Sequence, residues 1–172
     1  MNIKALSESE RYESMRGYFA FYLHEEMRNN KDIYLLTGDL GWGMLDKIKR
    51  DFPDRFINCG AGEQNMMGMA VGLALSGKIP IVYSITPFLL YRPFETIRNY
   101  IDHERIPVIL VGGGRDFDYE HDGFSHWSTE DKQVMDLFPS IFSTWPQSKD
   151  EIKELLNKTI NERQATYINL TR

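Results

Sequence analysis

Glu63 opens the stretch of this chain whose residue types point most directly to chemistry. The run Cys59-Gly60-Ala61-Gly62-Glu63-Gln64-Asn65-Met66-Met67-Gly68-Met69-Ala70-Val71-Gly72-Leu73-Ala74-Leu75-Ser76-Gly77 turns on two glycines and starts a helix at or near Glu63. Beyond Glu63 the helix carries no charge, and a helix apolar all round is expected to be buried. Gly68, Gly72 and Ser76 lie four apart and form one smooth face against which another backbone can pack, while Gly77 is placed to end the helix. A carboxyl at the mouth of such an element, taken out of water, can share or donate a proton. The plainer reading is a carboxylate that stabilises a helix N-terminus.

Four further groups invite the same double reading. Phe88 and Tyr91 follow a strand, where they could wall a planar ligand or simply pack. Asp122 and His126 lie four apart in Asp122-Gly123-Phe124-Ser125-His126. They fall inside the longest irregular stretch, Gly112 to Ser128, and loops of that length are often functional. Arg115 lies in that same stretch and Arg172 follows the last apolar run, where each could meet a ligand or be a plain surface charge. Asp39, in Thr37-Gly38-Asp39-Leu40, could face a ligand or serve as a turn residue.

The elements that must position these side chains are legible from their periods. Short apolar runs bounded by turn residues predict strands at Ile33–Thr37, Phe56–Cys59, Ile79–Ile85, Val108–Val111, Ile141–Thr144 and Tyr167–Leu170. Helical patterns fall at Ser7–Asn30, Met44–Asp51, Glu63–Ser76, Pro93–Asp102, Glu130–Leu137 and Lys149–Asn161. In the first, Ser7 and Glu10 have capping-box spacing, and Tyr12, Met15, Phe19, Tyr22 and Leu23 form one apolar face. Alternation of strand and helix predicts an α/β fold, a mostly parallel sheet with helices on both faces. Ligands then sit at the carboxyl ends of the strands, so the loops that matter include Gly38–Gly43, Gly60–Asn65, Thr86–Arg92 and Gly112–Trp127.

Composition narrows the class. A chain of 172 residues with 42% hydrophobic and 26% charged residues is expected to form a single domain with a real core. The net charge of −5 with scattered basic residues argues against a nucleic-acid surface. A lone cysteine, Cys59, allows no internal disulfide and favours a reducing, cytoplasmic setting. No apolar run approaches the length of a membrane span, and Met1 to Arg11 lacks the apolar core of a signal peptide.

Taken together, Phe56 through Gly77 with the following Lys78-Ile79-Pro80-Ile81-Val82 closely resembles the transketolase family and its relative deoxyxylulose-phosphate synthase. The match extends to Tyr83-Ser84-Ile85-Thr86-Pro87-Phe88-Leu89-Leu90-Tyr91-Arg92-Pro93-Phe94, to Asp122-Gly123-Phe124-Ser125-His126, which resembles the family's Asp-Gly-Pro-Thr-His, and to Tyr167-Ile168-Asn169-Leu170-Thr171-Arg172. The resemblance covers most of residues 1–172 as one thiamine-diphosphate-binding (pyrimidine) domain. It implies that Glu63 is the family's glutamate, which hydrogen-bonds N1′ of the cofactor's aminopyrimidine and so helps the thiazolium C2 lose its proton. It implies that Phe88, Ile85 and Tyr91 lie around that ring, with Asp39 and Leu40 beside it. Asp122 and His126 become substrate contacts, and Arg115 and Arg172 become holders of a substrate phosphate.

The sequence also departs from the family. Transketolases carry a histidine where Gly114 stands, whereas the synthases tend to have an arginine at the position of Arg115. The Gly-Asp-Gly…Asn motif that holds the diphosphate through a divalent metal is missing, since Gly38-Asp39 is followed by Leu40. The phosphate-binding glycine signatures are missing too, since Gly112-Gly113-Gly114 is followed by Arg115 and not by a Gly-Lys-Ser/Thr ending. The resemblance therefore implies thiamine diphosphate shared with a separate diphosphate-binding subunit that also holds Mg²⁺, in an α2β2 assembly by analogy. The reaction it implies moves a carbon fragment from a ketose or 2-oxo acid donor to an aldehyde acceptor. Two alternatives stay open: a decarboxylating ligase like deoxyxylulose-phosphate synthase, and a non-catalytic domain that binds a partner.

Overall fold

The computed structural model describes residues 14–172; Ser7, Glu10 and Tyr12 lie outside the described residues. Six strands, β1 (Ile33–Thr37), β2 (Phe56–Asn58), β3 (Ile79–Ile85), β4 (Ile109–Gly113), β5 (Phe142–Thr144) and β6 (Thr166–Leu170), form one sheet in the order β2-β1-β3-β4-β6-β5. Every strand pairing in it is parallel. The helices are α1 (Met15–Asn29), α2 (Asp46–Asp51), α3 (Glu63–Leu75), α4 (Thr86–Tyr91), α5 (Phe94–Thr96), α6 (Asp131–Met135) and α7 (Lys149–Glu162). The expected α/β class with a parallel sheet is what the chain adopts.

The period of two along each strand divides the core into two layers. Ile79, Ile81 and Tyr83 of β3, Ile109 and Val111 of β4, and Ile168 and Leu170 of β6 face one side. There they meet Phe19, Leu23 and Met27 of α1 and Ile152, Leu156 and Ile160 of α7. Val82, Leu110 and Tyr167 face the other side, against Met66, Met67 and Ala70 of α3, Leu89 and Leu90 of α4, and Met135 of α6. Each fully buried Leu or Ile in these layers contributes about 1.5–3 kcal/mol relative to exposure.

Several local expectations need correction. The first helix starts at Met15, because Ser14 in an extended conformation caps it, accepting from the Gly17 N–H at 3.1 Å. Thr86–Arg92, expected as a loop, contains α4; Pro87 stands in its first turn, where a missing N–H costs nothing. The helix expected over Pro93–Asp102 is α5 followed by a π-helical segment, Ile97–His103. Helix α3 ends at the positive-φ Gly77 (φ 80°), as its position foretold. It is not buried all round, however. Glu63, Met66, Met67, Ala70 and Val71 are buried, while Asn65, Gly68, Met69, Gly72, Leu75 and Ser76 lie open along the opposite face. No helix among the described residues is long and apolar enough to cross a membrane.

Candidate functional site

Strand order reverses between β1 and β3, and the crevice at their carboxyl ends is where such sheets hold ligands. Glu63 is the first residue of α3 and reaches that crevice from the β2 side, with its side chain only 2% exposed. The absence of a Cβ at Gly38, just past β1, matters here: an added one would stand 3.4 Å from Glu63 Oε1. The carboxylate does not stand alone. Nη1 of Arg92 donates to both its oxygens, at 2.8 Å each. The same guanidinium lies over the ring of Phe88 on α4, 3.9 Å from its centroid. The His126 ring meets Phe88 edge-on at 4.9 Å. Thus Glu63, Phe88 and His126, singled out in the sequence, converge on one place, and Arg92 joins them.

Ile85 and Leu40 share a cavity of about 560 Å³ with Arg16, Trp42, Tyr83 and Tyr119. Burial pushes the Tyr83 phenol there up to about 12. Asp39 is exposed and takes a left-handed conformation (φ 59°). Its N–H donates to Asn58 Oδ1 and its carboxylate accepts from Asn58 Nδ2, both at 3.0 Å, which is turn-residue behaviour. Tyr91 ends α4, three residues after Phe88; its phenol is raised well above the ordinary value, first by burial and then by the Glu130 carboxylate beside it.

The long stretch after β4 is tied down at many points. Thr86 Oγ1 and Ser128 Oγ both donate to the Gly114 carbonyl, at 2.7 and 3.0 Å. Arg115 is committed to the scaffold, with Nε donating to Asn169 Oδ1 (3.2 Å) and Nη2 to the carbonyls of Asn169 (2.7 Å) and Pro146 (3.0 Å). Asp122 is exposed, 3.5 Å from His121, and Ser125 Oγ lies 3.0 Å from His126 Nδ1. Arg172 stands over the Tyr119 ring at 5.3 Å, and its backbone N–H donates to Asp118 at 2.8 Å.

Two residues of the site are not evident in the sequence. Arg16, at the start of α1, donates to the Tyr119 hydroxyl while its Nε is buried without a partner. Arg92 is hidden because only α4, whose sequence has the pattern of a loop, turns it back toward Glu63, 29 positions earlier. An arginine within an otherwise apolar run, Phe88 to Phe94, is the one signal available for it. Among the described residues no group of three or more His, Cys, Asp or Glu side chains is arranged to hold a metal.

Comparison with known proteins bears on the family and the fold. The family model for the transketolase pyrimidine binding domain matches residues 13–172. An apulose-4-phosphate transketolase subunit from Actinobacillus succinogenes is 33% identical over 145 residues, covering 84% of this chain and 47% of that protein. A 1-deoxy-D-xylulose-5-phosphate synthase from Dehalococcoides mccartyi is 31% identical over 146 residues, 83% of this chain and 22% of that protein. Among solved structures, a split gene transketolase described as an inactive beta4 tetramer superposes with a TM-score of 0.81 at 29% identity, covering 92% of this chain and 51% of that one. The chain spans about half the length of the first curated relatives it matches. With the model matched along nearly its whole length, this chain belongs to the transketolase pyrimidine-binding domain family.

Proposed function

We propose that this chain is the pyrimidine-binding part of a thiamine-diphosphate-dependent transferase of the transketolase type. In this reading it works with a separate chain that holds the diphosphate and Mg²⁺. The observation that carries it is Glu63: a carboxylate almost wholly buried at a helix start, in a crevice at the strand ends, with an aromatic ring one guanidinium away. The residues fit the pyrimidine end of the cofactor. Glu63 offers an acceptor at the start of α3 and Phe88 a flat face; Ile85 and Leu40, which line the cavity with Tyr83 and Tyr119, would add an apolar wall, and Asp39 supports the turn that carries Leu40. Tyr91, one helical turn after Phe88 and with Glu130 beside its phenol, would border this group.

When bound, thiamine diphosphate supplies an electron sink for breaking and making a carbon–carbon bond beside a carbonyl. Glu63 would hold the proton at the pyrimidine N1′ and keep the ring in register. His126, ordered by Ser125 and Phe88, and the nearby Asp122 would meet substrate hydroxyls. Arg172, with Arg16 on the same tyrosine, would meet a substrate phosphate; Arg115 would add to it through Nη1, the nitrogen its scaffold bonds leave unused. The donor in this reading is a ketose or a 2-oxo acid and the acceptor an aldehyde. A decarboxylating ligase reading draws its support from Arg115 following Gly114, and a screen of 2-oxo acids against ketose phosphates separates the two.

The open face of α3 supports the partner. Asn65, Gly68, Met69, Gly72 and Leu75 form an exposed, nearly uncharged strip, and a Cβ added at Gly68 or Gly72 would meet nothing within 4 Å. A backbone from a second chain can approach such a strip closely. The test is isolation of the tagged chain from its source, followed by thiamine diphosphate binding with and without Mg²⁺. A stoichiometric companion carrying a Gly-Asp-Gly…Asn motif, together with Mg²⁺-dependent binding, is the expected result. A chain that never binds the cofactor in any assembly overturns the proposal and leaves a non-catalytic, partner-binding domain.

A further inference from the structure

We propose that Arg92 is a built-in stand-in for the aminopyrimidine: its guanidinium occupies the seat between Glu63 and Phe88 in the free chain and must swing out before the cofactor can enter. The inference rests on the reading of Glu63 and Phe88 as that seat. A pyrimidine bound there needs two contacts, a hydrogen bond onto the Glu63 carboxylate and a flat approach to an aromatic face. Arg92 makes both. Its Nη1 reaches both Glu63 oxygens at 2.8 Å, and its guanidinium carbon lies 3.9 Å from the Phe88 centroid, a stacking distance. A guanidinium is flat, carries N–H donors in its plane and stacks on rings, so it imitates a protonated aminopyrimidine in shape and in charge.

The arrangement has a physical reason. A carboxylate that is 2% exposed is costly to leave without a counter-charge, and the free chain must provide one. Arg92 does so from a side chain that is still 47% exposed, so it can rotate into water without breaking the core. Its backbone is in the ordinary helical region at the end of α4 (φ −65°, ψ −48°), so departure of the side chain requires no change of fold. The seat keeps its backbone frame, because Glu63 opens α3 and Phe88 lies within α4, yet it is filled. Cofactor affinity is then reduced by the fraction of molecules in which the seat is open.

The experiment uses the full chain in its native assembly and measures thiamine diphosphate affinity and association rate in the presence of Mg²⁺, for the wild type, Arg92→Ala and Arg92→Lys. Arg92→Ala is expected to bind about tenfold more tightly, mostly through faster association, since the closed population is gone. Arg92→Lys, which keeps the charge but loses the planar fork, should fall between. Millimolar guanidinium chloride added to Arg92→Ala should compete with the cofactor and return its affinity toward the wild-type value, whereas equimolar urea should not. Thermal unfolding checks that each variant is folded, and Arg92→Lys carries the comparison if Arg92→Ala is not. Cofactor binding by the wild type with equal or weaker binding by both variants, or no competition by guanidinium, overturns the stand-in while leaving the cofactor reading intact. Absence of binding by every protein, wild type included, overturns the cofactor reading and this inference with it.

Discussion

Nδ2 of Asn169 donates to Oδ2 of Asp131 at 2.7 Å in the interior of the molecule, and this bond joins the last strand to α6. The same oxygen accepts from Tyr167 Oη at 2.8 Å and Trp145 Nε1 at 2.7 Å. Burial, reinforced by that carboxylate, holds the Tyr167 phenol well above its ordinary range, so it stays a donor. Through Asn169 Oδ1 the network reaches Arg115 and the long loop that carries Asp122 and His126. Replacing Asp131 by Ala leaves Trp145 Nε1 and Tyr167 Oη without their acceptor, whereas Asn169 Nδ2 keeps Tyr167 Oη, Thr86 Oγ1 and the Gly114 carbonyl; an unsatisfied buried donor costs about 1–3 kcal/mol. The expected loss, read by denaturant unfolding, is at least about 2 kcal/mol. Limited proteolysis should also cut the Gly114–Ser128 stretch sooner. Wild-type stability in this variant would show that water can replace the carboxylate.

Glu63→Gln removes the charge but keeps the shape. If the proposed function holds, turnover by the assembly with its partner is expected to fall by a factor of about a hundred or more, in line with loss of an acid–base group. Assembly itself, followed by size-exclusion chromatography, should be largely spared. Normal turnover would remove Glu63 from the mechanism.

The open face of α3 gives a prediction with opposite signs for two substitutions at one position. Gly72→Ala is expected to stabilise the chain by about 0.5–1 kcal/mol, because glycine inside a helix is costly and an added Cβ meets nothing within 4 Å. Gly72→Leu should fold equally well, yet a side chain of that size would hold off a partner's backbone. Loss of association in Gly72→Leu with retained thermal stability is the expected pattern. Unchanged association would place the partner elsewhere.

Acid and alkali should act on a surface pair between the β1 and β3 entrances. Lys78 Nζ donates to Asp32 Oδ1 at 2.9 Å, and this bond holds the Asp32 carboxyl below its ordinary 3.8 and raises the Lys78 ammonium above its ordinary 10.5. Because the folded carboxyl is depressed, its contribution is present above the unfolded value and is lost as pH falls through the lower folded one. Because the folded ammonium is raised, its contribution is present below the unfolded value and is lost as pH rises through the higher folded one. Asp32→Asn should therefore lower the melting temperature slightly in the neutral range, with the difference vanishing in strong acid. Both groups face solvent, so added salt should shrink the effect. A difference that persists in strong acid would mean that the substitution acts through something other than the charge.

Much of the fold was readable because it is encoded locally. Ile33–Thr37 and Ile79–Ile85 are strands with the bounds their apolar runs and flanking glycines imply, since a run buried on both faces cannot satisfy a helix's polar side. Lys149–Glu162 follows its Ser148 cap and its acidic first turn. The failures have physical causes as well. Thr86–Tyr91 lacks helical periodicity because α4 is wedged against the sheet on nearly every side; Thr86, Pro87, Leu89 and Leu90 are all buried. Helix α3 carries the composition of a fully buried helix, but within this chain only half of it is covered.

The sequence by itself determined the parallel α/β plan and the place of Glu63 at the start of an uncharged helix, because strand period, glycine turns and caps act over a few neighbouring residues. It also marked some of the side chains that could meet a flat ring or a phosphate, though neither Arg16 nor Arg92. Only the tertiary structure decided which of them meet. The crevice between β1 and β3 brings Arg92 onto Glu63 across 29 positions, and the β4–β6 pairing commits most of Arg115 to Asn169 across 54. Those contacts arise from the packing of elements against the sheet, and no spacing along the chain encodes them.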